Sequence, residues 1–251
     1  MHFTSETRLD QGPIEREFTL GDIPGILWTP PTASTAGPVP LILLGQPGGL
    51  GLRRMHPRLE VRARSAAAQG LASVALELPG AGDRHPLPGA EQARADLVRA
   101  ISVGERPDDD IIDRLILPIV ERAVPEWQAA LDAVLGLPEI GDRVAISGGV
   151  IAVAVRLAAT DRRIAAAGLF AGSYVPRSTM DEARRITIPL HVLLQWDDEG
   201  NDRQMALDLF DAFASTEKTL YANMGGHTGV PSFASEDAAR FFARHLDSTG
   251  D

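Results

Sequence analysis

The sequence predicts an α/β fold built on one mostly parallel sheet. Short, continuous apolar runs end in glycine-rich turns, as buried parallel strands do. Helix-like segments alternate with these runs along the chain. An opening hairpin precedes them, with Glu15 to Leu20 and Ile23 to Thr29 flanking Gly21-Asp22.

Taken in order, Pro40 to Leu44 is the first parallel strand and runs into Gly45-Gln46-Pro47-Gly48-Gly49. The segment before it, Pro30 to Pro38, is rich in Pro, Thr and Ala and reads as a surface loop. Arg58 to Gln69 is helical by composition and Gly70 closes it. Ala72 to Leu78 is the next strand. Residues 90–136 read as two or three helices broken at Gly104, Pro107, Pro118 and Pro125. Arg143 to Ile146, Ile164 to Phe170, Leu190 to Leu194 and Lys218 to Tyr221 are further strands. Gly149 to Thr160, Asp202 to Phe213 and Glu236 to His245 are the helices between and after them. About eight strands are expected, covered by helices on both faces. In such a sheet, ligands bind at the carboxyl ends of the strands, so the chemistry belongs in the turns that follow them.

Composition narrows the function. The chain has 251 residues, 44% hydrophobic, and no repeat or low-complexity linker divides it, so one domain spanning 1–251 is expected. A net charge of −10 without a basic cluster argues against nucleic acid or an anionic membrane as partner. With no cysteine there is no disulfide, thiolate metal site or Cys nucleophile. No run approaches the roughly 18 apolar residues that span a bilayer. The start Met1-His2-Phe3-Thr4-Ser5-Glu6 lacks the pattern of a signal peptide, so a cytoplasmic location is expected. No cofactor or metal is expected. The expected partner is a small-molecule substrate, with a homodimer left open.

Four turns carry chemistry-bearing residues. Ala145-Ile146-Ser147-Gly148-Gly149 follows a strand and precedes a helix, as a G-x-S-x-G nucleophile elbow does, with Ala in the first position. Such a turn needs small residues two positions either side of its apex, and it aims the next amide, here Gly148, at a developing oxyanion. A second register, Gly148-Gly149-Val150-Ile151-Ala152, meets the same size requirement and puts Val150 at the apex, where no nucleophile would stand. A β-branched residue at positive φ is costly, which favours Ser147. Leu193 to Glu199 carries a strand into adjacent carboxylates, Asp197 and Asp198. Asn223 to Gly229 holds His227 in a glycine-rich loop, and this is the one of six histidines placed late in the chain in such a loop. In Gly45 to Gly49, Pro47 has no N–H, so Gly48 is the candidate second oxyanion donor. Ser, Asp and His, each after its own strand and in that order, suit nucleophilic acyl transfer.

At these residues the chain resembles the α/β-hydrolase superfamily, and within it the dienelactone-hydrolase-like bacterial proteins. The most specific stretches are Leu78 to Arg84, Leu194 to Glu199 and Asn223 to His227. The resemblance implies a serine hydrolase of small esters, lactones or thioesters, with Ser147 as nucleophile, Asp198 as acid and His227 as base. Asp198 is preferred to Asp197 because the family's acid lies three residues after the strand-ending position, here Gln195. Residues 85–125 would form a small helical cap. The chain departs from the family in having Gln46-Pro47-Gly48-Gly49 for His-Gly-Gly-Gly, Ala145 for Gly, and Gly200-Asn201-Asp202 for Val-Pro after the acid. Two other readings stay open if Val150 holds the apex: an acid/base lyase or cyclase using His227 and Asp198, or a binding protein without catalysis.

Overall fold

The computed structural model describes residues 1–10, 12–34 and 37–246. Nine strands form one sheet: β1 (His2–Arg8), β2 (Ile14–Leu20), β3 (Ile23–Thr29), β4 (Val39–Gly45), β5 (Ala72–Leu76), β6 (Ile140–Gly148), β7 (Ile164–Phe170), β8 (Leu190–Gln195) and β9 (Lys218–Asn223). The helices are α1 (Leu52–Ala67), α2 (Ala90–Ser102), α3 (Asp109–Val134), α4 (Ile151–Thr160), α5 (Arg177–Ala183), α6 (Arg203–Ala212) and α7 (Ala234–Leu246). The spatial order is β1-β2-β3-β5-β4-β6-β7-β8-β9; the first three strands are antiparallel and the pairs from β5 to β9 are parallel.

The reversal between β4 and β5 puts β4 and β6 side by side in the middle of the sheet, so their carboxyl ends share a crevice. Every residue of β5 is buried, and its run Ala-Ser-Val-Ala-Leu is apolar on both faces but for Ser73. Strand alternation sorts the side chains. Leu41, Leu43, Val144 and Ile146 face α3 to α6, while Ile42, Leu44 and Ala145 face α1 and α7.

Several elements depart from the sequence reading, among them α5, which it did not include, and α1, which starts at Leu52 rather than Arg58. β1 lies at the sheet edge and is largely exposed, so no apolar run announced it. Residues 109–134 form one helix that passes through Pro118 and Pro125. Each proline costs a helix about 3 kcal/mol, and here that cost is outweighed by a buried stripe running from Ile112 through Ile119, Ala123 and Trp127 to Val134. The break falls instead at Gly104, whose φ of +74° suits glycine, and Asp108 then caps α3 by accepting from the Ile111 amide at 2.8 Å. Within the loop read over Pro30 to Pro38, Pro31–Ser34 is a 3₁₀ turn, and Thr35 and Ala36 lie outside the described residues. Among the described residues no helix is long and apolar enough to cross a membrane.

His191, on β8, is buried between the rings of Tyr221 and Phe241, at centroid distances of 4.5 and 5.4 Å. Burial holds its pKa below the usual histidine value, weakly opposed by Asp237. The unfolded chain therefore takes up a proton, as pH falls through about 6.5, that the folded chain does not. Stability present above that pH is lost below it. His191→Phe should flatten the fall in unfolding free energy on acidification, by at most about 1.4 kcal/mol per pH unit for this one site. Melting curves of both proteins across that range measure the difference.

Candidate active site

The strand-to-helix corner after β6 is made by two glycines. Gly148 has φ +65° and Gly149 φ +89°, conformations that cost glycine nothing and other residues 1–2 kcal/mol. The glycines also permit close backbone packing: a Cβ on Gly149 would stand 2.7 Å from Gly45 Cα, at the end of neighbouring β4.

This corner corrects the sequence reading. Ser147 was expected at the apex, with Gly148 as the following oxyanion donor. Ser147 instead lies within β6, paired with Leu44 on one side and Gly168 on the other. Val150 stands where strand becomes helix, as the N-cap of α4, with φ −67° and ψ 107°. The steric objection to Val150 was that it would need a positive φ. The glycine pair absorbs that conformation, so Val150 keeps an ordinary one. The amide following the corner is therefore Ile151. It and Ala152 have no hydrogen-bond acceptor among the described residues, as the first amides of a helix do not. Gly148 itself is the last residue of β6, opposite Gly45.

Strand alternation puts the side chain of Ser147 on the face of Ala145, toward α1. There its Oγ accepts from Arg62 Nη2 at 3.1 Å. Arg62 also donates to the Ser147 carbonyl at 2.5 Å and to the Gly45 carbonyl at 2.8 Å. No hydrogen bond joins Ser147 to His227.

The other two predicted residues do meet. The Nδ1 of His227 lies 2.7 Å from Oδ2 of Asp198. The Asp198 carboxylate is buried, with 3% of its side chain exposed, while 55% of the His227 side chain is open. Its second oxygen accepts from the Gly200 amide at 3.0 Å. The rings of Phe170 and His227 stand nearly perpendicular, with centroids 5.5 Å apart. With Nδ1–H donating to the carboxylate, a neutral ring presents Nε2 as its basic atom.

Asp197 has a different task. Its carboxylate accepts from the amides of Gly225 (2.9 and 3.0 Å) and Gly226 (2.9 Å), and these bonds hold its pKa below the usual carboxylate value. Gln195 Nε2 donates to the Gly226 carbonyl at 2.8 Å from the same strand end. The histidine loop is thus tied to β8 through backbone groups.

The β4 turn is fixed from below. Gln46 is buried and donates to the Leu76 carbonyl at 3.0 Å and to Glu77 at 3.4 Å. Glu77 accepts from the Leu52 amide, at 3.0 and 3.2 Å, capping α1; burial raises the pKa of this carboxylate. Gly48 remains on the open side, where an added Cβ would touch Ile119 and Val150 at 3.5 and 3.6 Å. Val150 therefore occupies the space beside the candidate oxyanion loop.

Gly48, Ser147, Val150 and His227 line a pocket of about 750 Å³ at the carboxyl ends of the central strands. Ile116 and Ile119 of α3 and Leu97 of α2 line one side, so part of the 85–125 segment borders the opening. The pocket continues to the α1/α7 side, where Arg62 reaches it. Among the described residues no group of three His, Cys, Asp or Glu side chains is placed to hold a metal ion. Arg62 and Glu77 were not singled out from sequence. A signal for Arg62 existed: it continues the Leu52, Met55, Leu59 stripe that α1 turns inward.

No protein-family model and no curated protein matches the chain. Solved structures do. A cold-adapted esterase from an Arctic intertidal metagenomic library is 25% identical, with a TM-score of 0.75 over 98% of this chain and 100% of that one. Dienelactone hydrolase from Anabaena variabilis is 17% identical, with a TM-score of 0.60 over 95% and 100%. An acetyl xylan esterase from Paenibacillus is 18% identical, with a TM-score of 0.62 over 98% and 88%. Together with the strand order and the crevice between β4 and β6, these likenesses establish that the chain has the α/β-hydrolase fold, in the form shared by esterases and dienelactone hydrolase.

Proposed function

We propose that the protein hydrolyses small carboxylic esters, with His227 as general base, Asp198 as its orienting acid and water as the attacking nucleophile. The observation that carries this reading is the 2.7 Å contact between His227 Nδ1 and buried Asp198, with the rest of the ring open to a pocket in an esterase-like fold. A water molecule gives its proton to Nε2 as its oxygen adds to the ester carbonyl. The carboxylate of Asp198 stabilises the imidazolium. The oxyanion is met by the Gly48 and Ile151 amides, which border the Val150 corner. The imidazolium then returns the proton to the departing alkoxide, leaving acid and alcohol.

A second reading keeps Ser147 as the acyl-accepting nucleophile, and it is favoured by one observation: Ser147 lines the same pocket as His227. Its Oγ would have to leave Arg62 to act. A serine-directed fluorophosphonate separates the two, read together with the time course of a chromogenic short-acyl ester. The expected result is turnover without a product burst and without an adduct on Ser147. A Ser147 adduct with a burst would transfer the mechanism to the acyl-enzyme. No turnover across short esters and lactones would overturn both and leave a binding protein.

A further inference from the structure

An arginine that loses hydration normally gains a carboxylate in exchange. The partly buried arginines Arg16, Arg84, Arg156 and Arg163 follow this rule, facing Glu139, Glu126, Glu182 and Asp161. Arg62 does not. It reaches the pocket from α1 and has no ion pair among the described residues. Loss of hydration pushes its pKa down to about 10. Of the five N–H groups of a guanidinium, Arg62 directs Nη1 to the Gly45 carbonyl and Nη2 to Ser147 O and Oγ, so Nε–H and one Nη1–H are left without an acceptor.

Two exposed arginines stand at the rim of the same pocket. Arg58, one helical turn before Arg62, and Arg94 of α2 line it, and neither has an ion pair among the described residues. Among the described residues no Asp or Glu lines it, in a chain where acidic residues outnumber basic ones by ten. The remaining wall is chiefly apolar, including Leu44, Met55, Ile116 and Phe242. Three cations and no carboxylate make this crevice positive within an acidic molecule.

We propose that Arg62, with Arg58 and Arg94 at the rim, forms an anion-binding subsite for a carboxylate or phosphate group on a ligand whose apolar body fills the rest of the pocket. Arg62 still has two N–H donors, one on Nε and one on Nη1, and either can donate singly to such a group. Ser147 Oγ stands beside it as a further hydrogen-bonding group. The subsite names the substrate class of the ester-hydrolase reading and rests on that reading only for the chemistry done at the ligand's other end.

Calorimetric titration of the full chain with glutarate, inorganic phosphate and neutral dimethyl glutarate tests the subsite without requiring hydrolysis. At least one of the two anions should bind saturably at a single site, weaken with added salt and exceed the neutral diester by about tenfold or more. Which anion binds tighter distinguishes carboxylate from phosphate. Arg62→Met should weaken that anion by about tenfold and Arg62→Lys by less. Because Arg62 also holds the carbonyls of Gly45 and Ser147, a second measurement uses the unaltered protein. Phenylglyoxal labelling followed by peptide mapping should show Arg62 protected by the bound anion and exposed Arg53 unprotected. Absence of saturable anion binding up to ~10 mM, or equal labelling of Arg62 with and without the anion, overturns the proposal. Anion binding with no ester turnover would sink the hydrolase reading and leave the subsite standing; turnover of neutral esters with no anion binding would do the reverse.

Discussion

His227→Ala should lower turnover of a short-acyl ester by about 10²–10⁴ on the proposed mechanism, the usual contribution of a positioned general base. The loss falls on kcat more than on KM, because the ring acts on the proton in transit and the apolar wall holds the substrate. Asp198→Asn produces a loss of the same order. Its carboxylate is buried against Nδ1, and an amide there no longer selects the tautomer with a basic Nε2 or stabilises the imidazolium. Ser147→Ala is the discriminating partner in this series. With Oγ engaged by Arg62 and no hydrogen bond to His227, the proposed water mechanism leaves the serine off the reaction path, and its removal should cost less than about tenfold in kcat. Steady-state kinetics on the three variants read the outcome. A fall on the order of 10⁶ for Ser147→Ala is what a triad nucleophile would show, and it would refute water as the direct nucleophile.

The second large effect is structural and sits at the same corner. Gly149→Ala should destabilise the protein by roughly 3–5 kcal/mol, in the range reserved for strain at a special backbone position. Two costs combine. The residue has φ +89°, and its Cβ would stand 2.7 Å from Gly45 Cα and 2.9 Å from the Gly45 carbonyl carbon. The clash is with the backbone of a central strand, so no side-chain rotamer relieves it. Gly45→Ala meets the reverse face of the same contact, 2.8 Å from Gly149 Cα. Gly70→Ala is the control: φ is +76°, but nothing lies within 4 Å, so only the left-handed penalty of about 1–2 kcal/mol applies. Urea denaturation of the three variants orders them. Equal midpoints for Gly149→Ala and Gly70→Ala would show that the β4–β6 contact is not as tight as described.

Much of this architecture was legible in the residues because its causes are local or periodic. Buried parallel strands must be apolar on both faces, which made Leu41 to Leu44, Ile164 to Phe170 and Leu190 to Leu194 readable as runs. Strand ends in such a sheet must be turns, which placed Gly48, Asp198 and His227 at one edge before any coordinates. The contact of Asp198 rather than Asp197 with the histidine was anticipated from the family's spacing, although the use of Asp197 on the Gly225 and Gly226 amides was not. Other features depend on contacts distant in sequence. The passage of α3 through two prolines is decided by what its buried face packs against.

The apex of the corner after β6 was the point on which local reasoning divided. Both registers have small flanking residues, and sterics at a single residue favoured serine over valine. Only the sheet settles the matter: β6 remains hydrogen-bonded between β4 and β7 through Ser147, so the chain cannot turn until Gly148 and Gly149. Pairing through Ser147 then sends its side chain to the α1 face, where Arg62 meets it across 85 positions of sequence. The sequence by itself determined the parallel strands and the turns that carry Asp198 and His227, and the family's spacing chose Asp198 over Asp197. Tertiary pairing decided which residue holds the corner, because strand register is a property of neighbours that no five-residue motif contains.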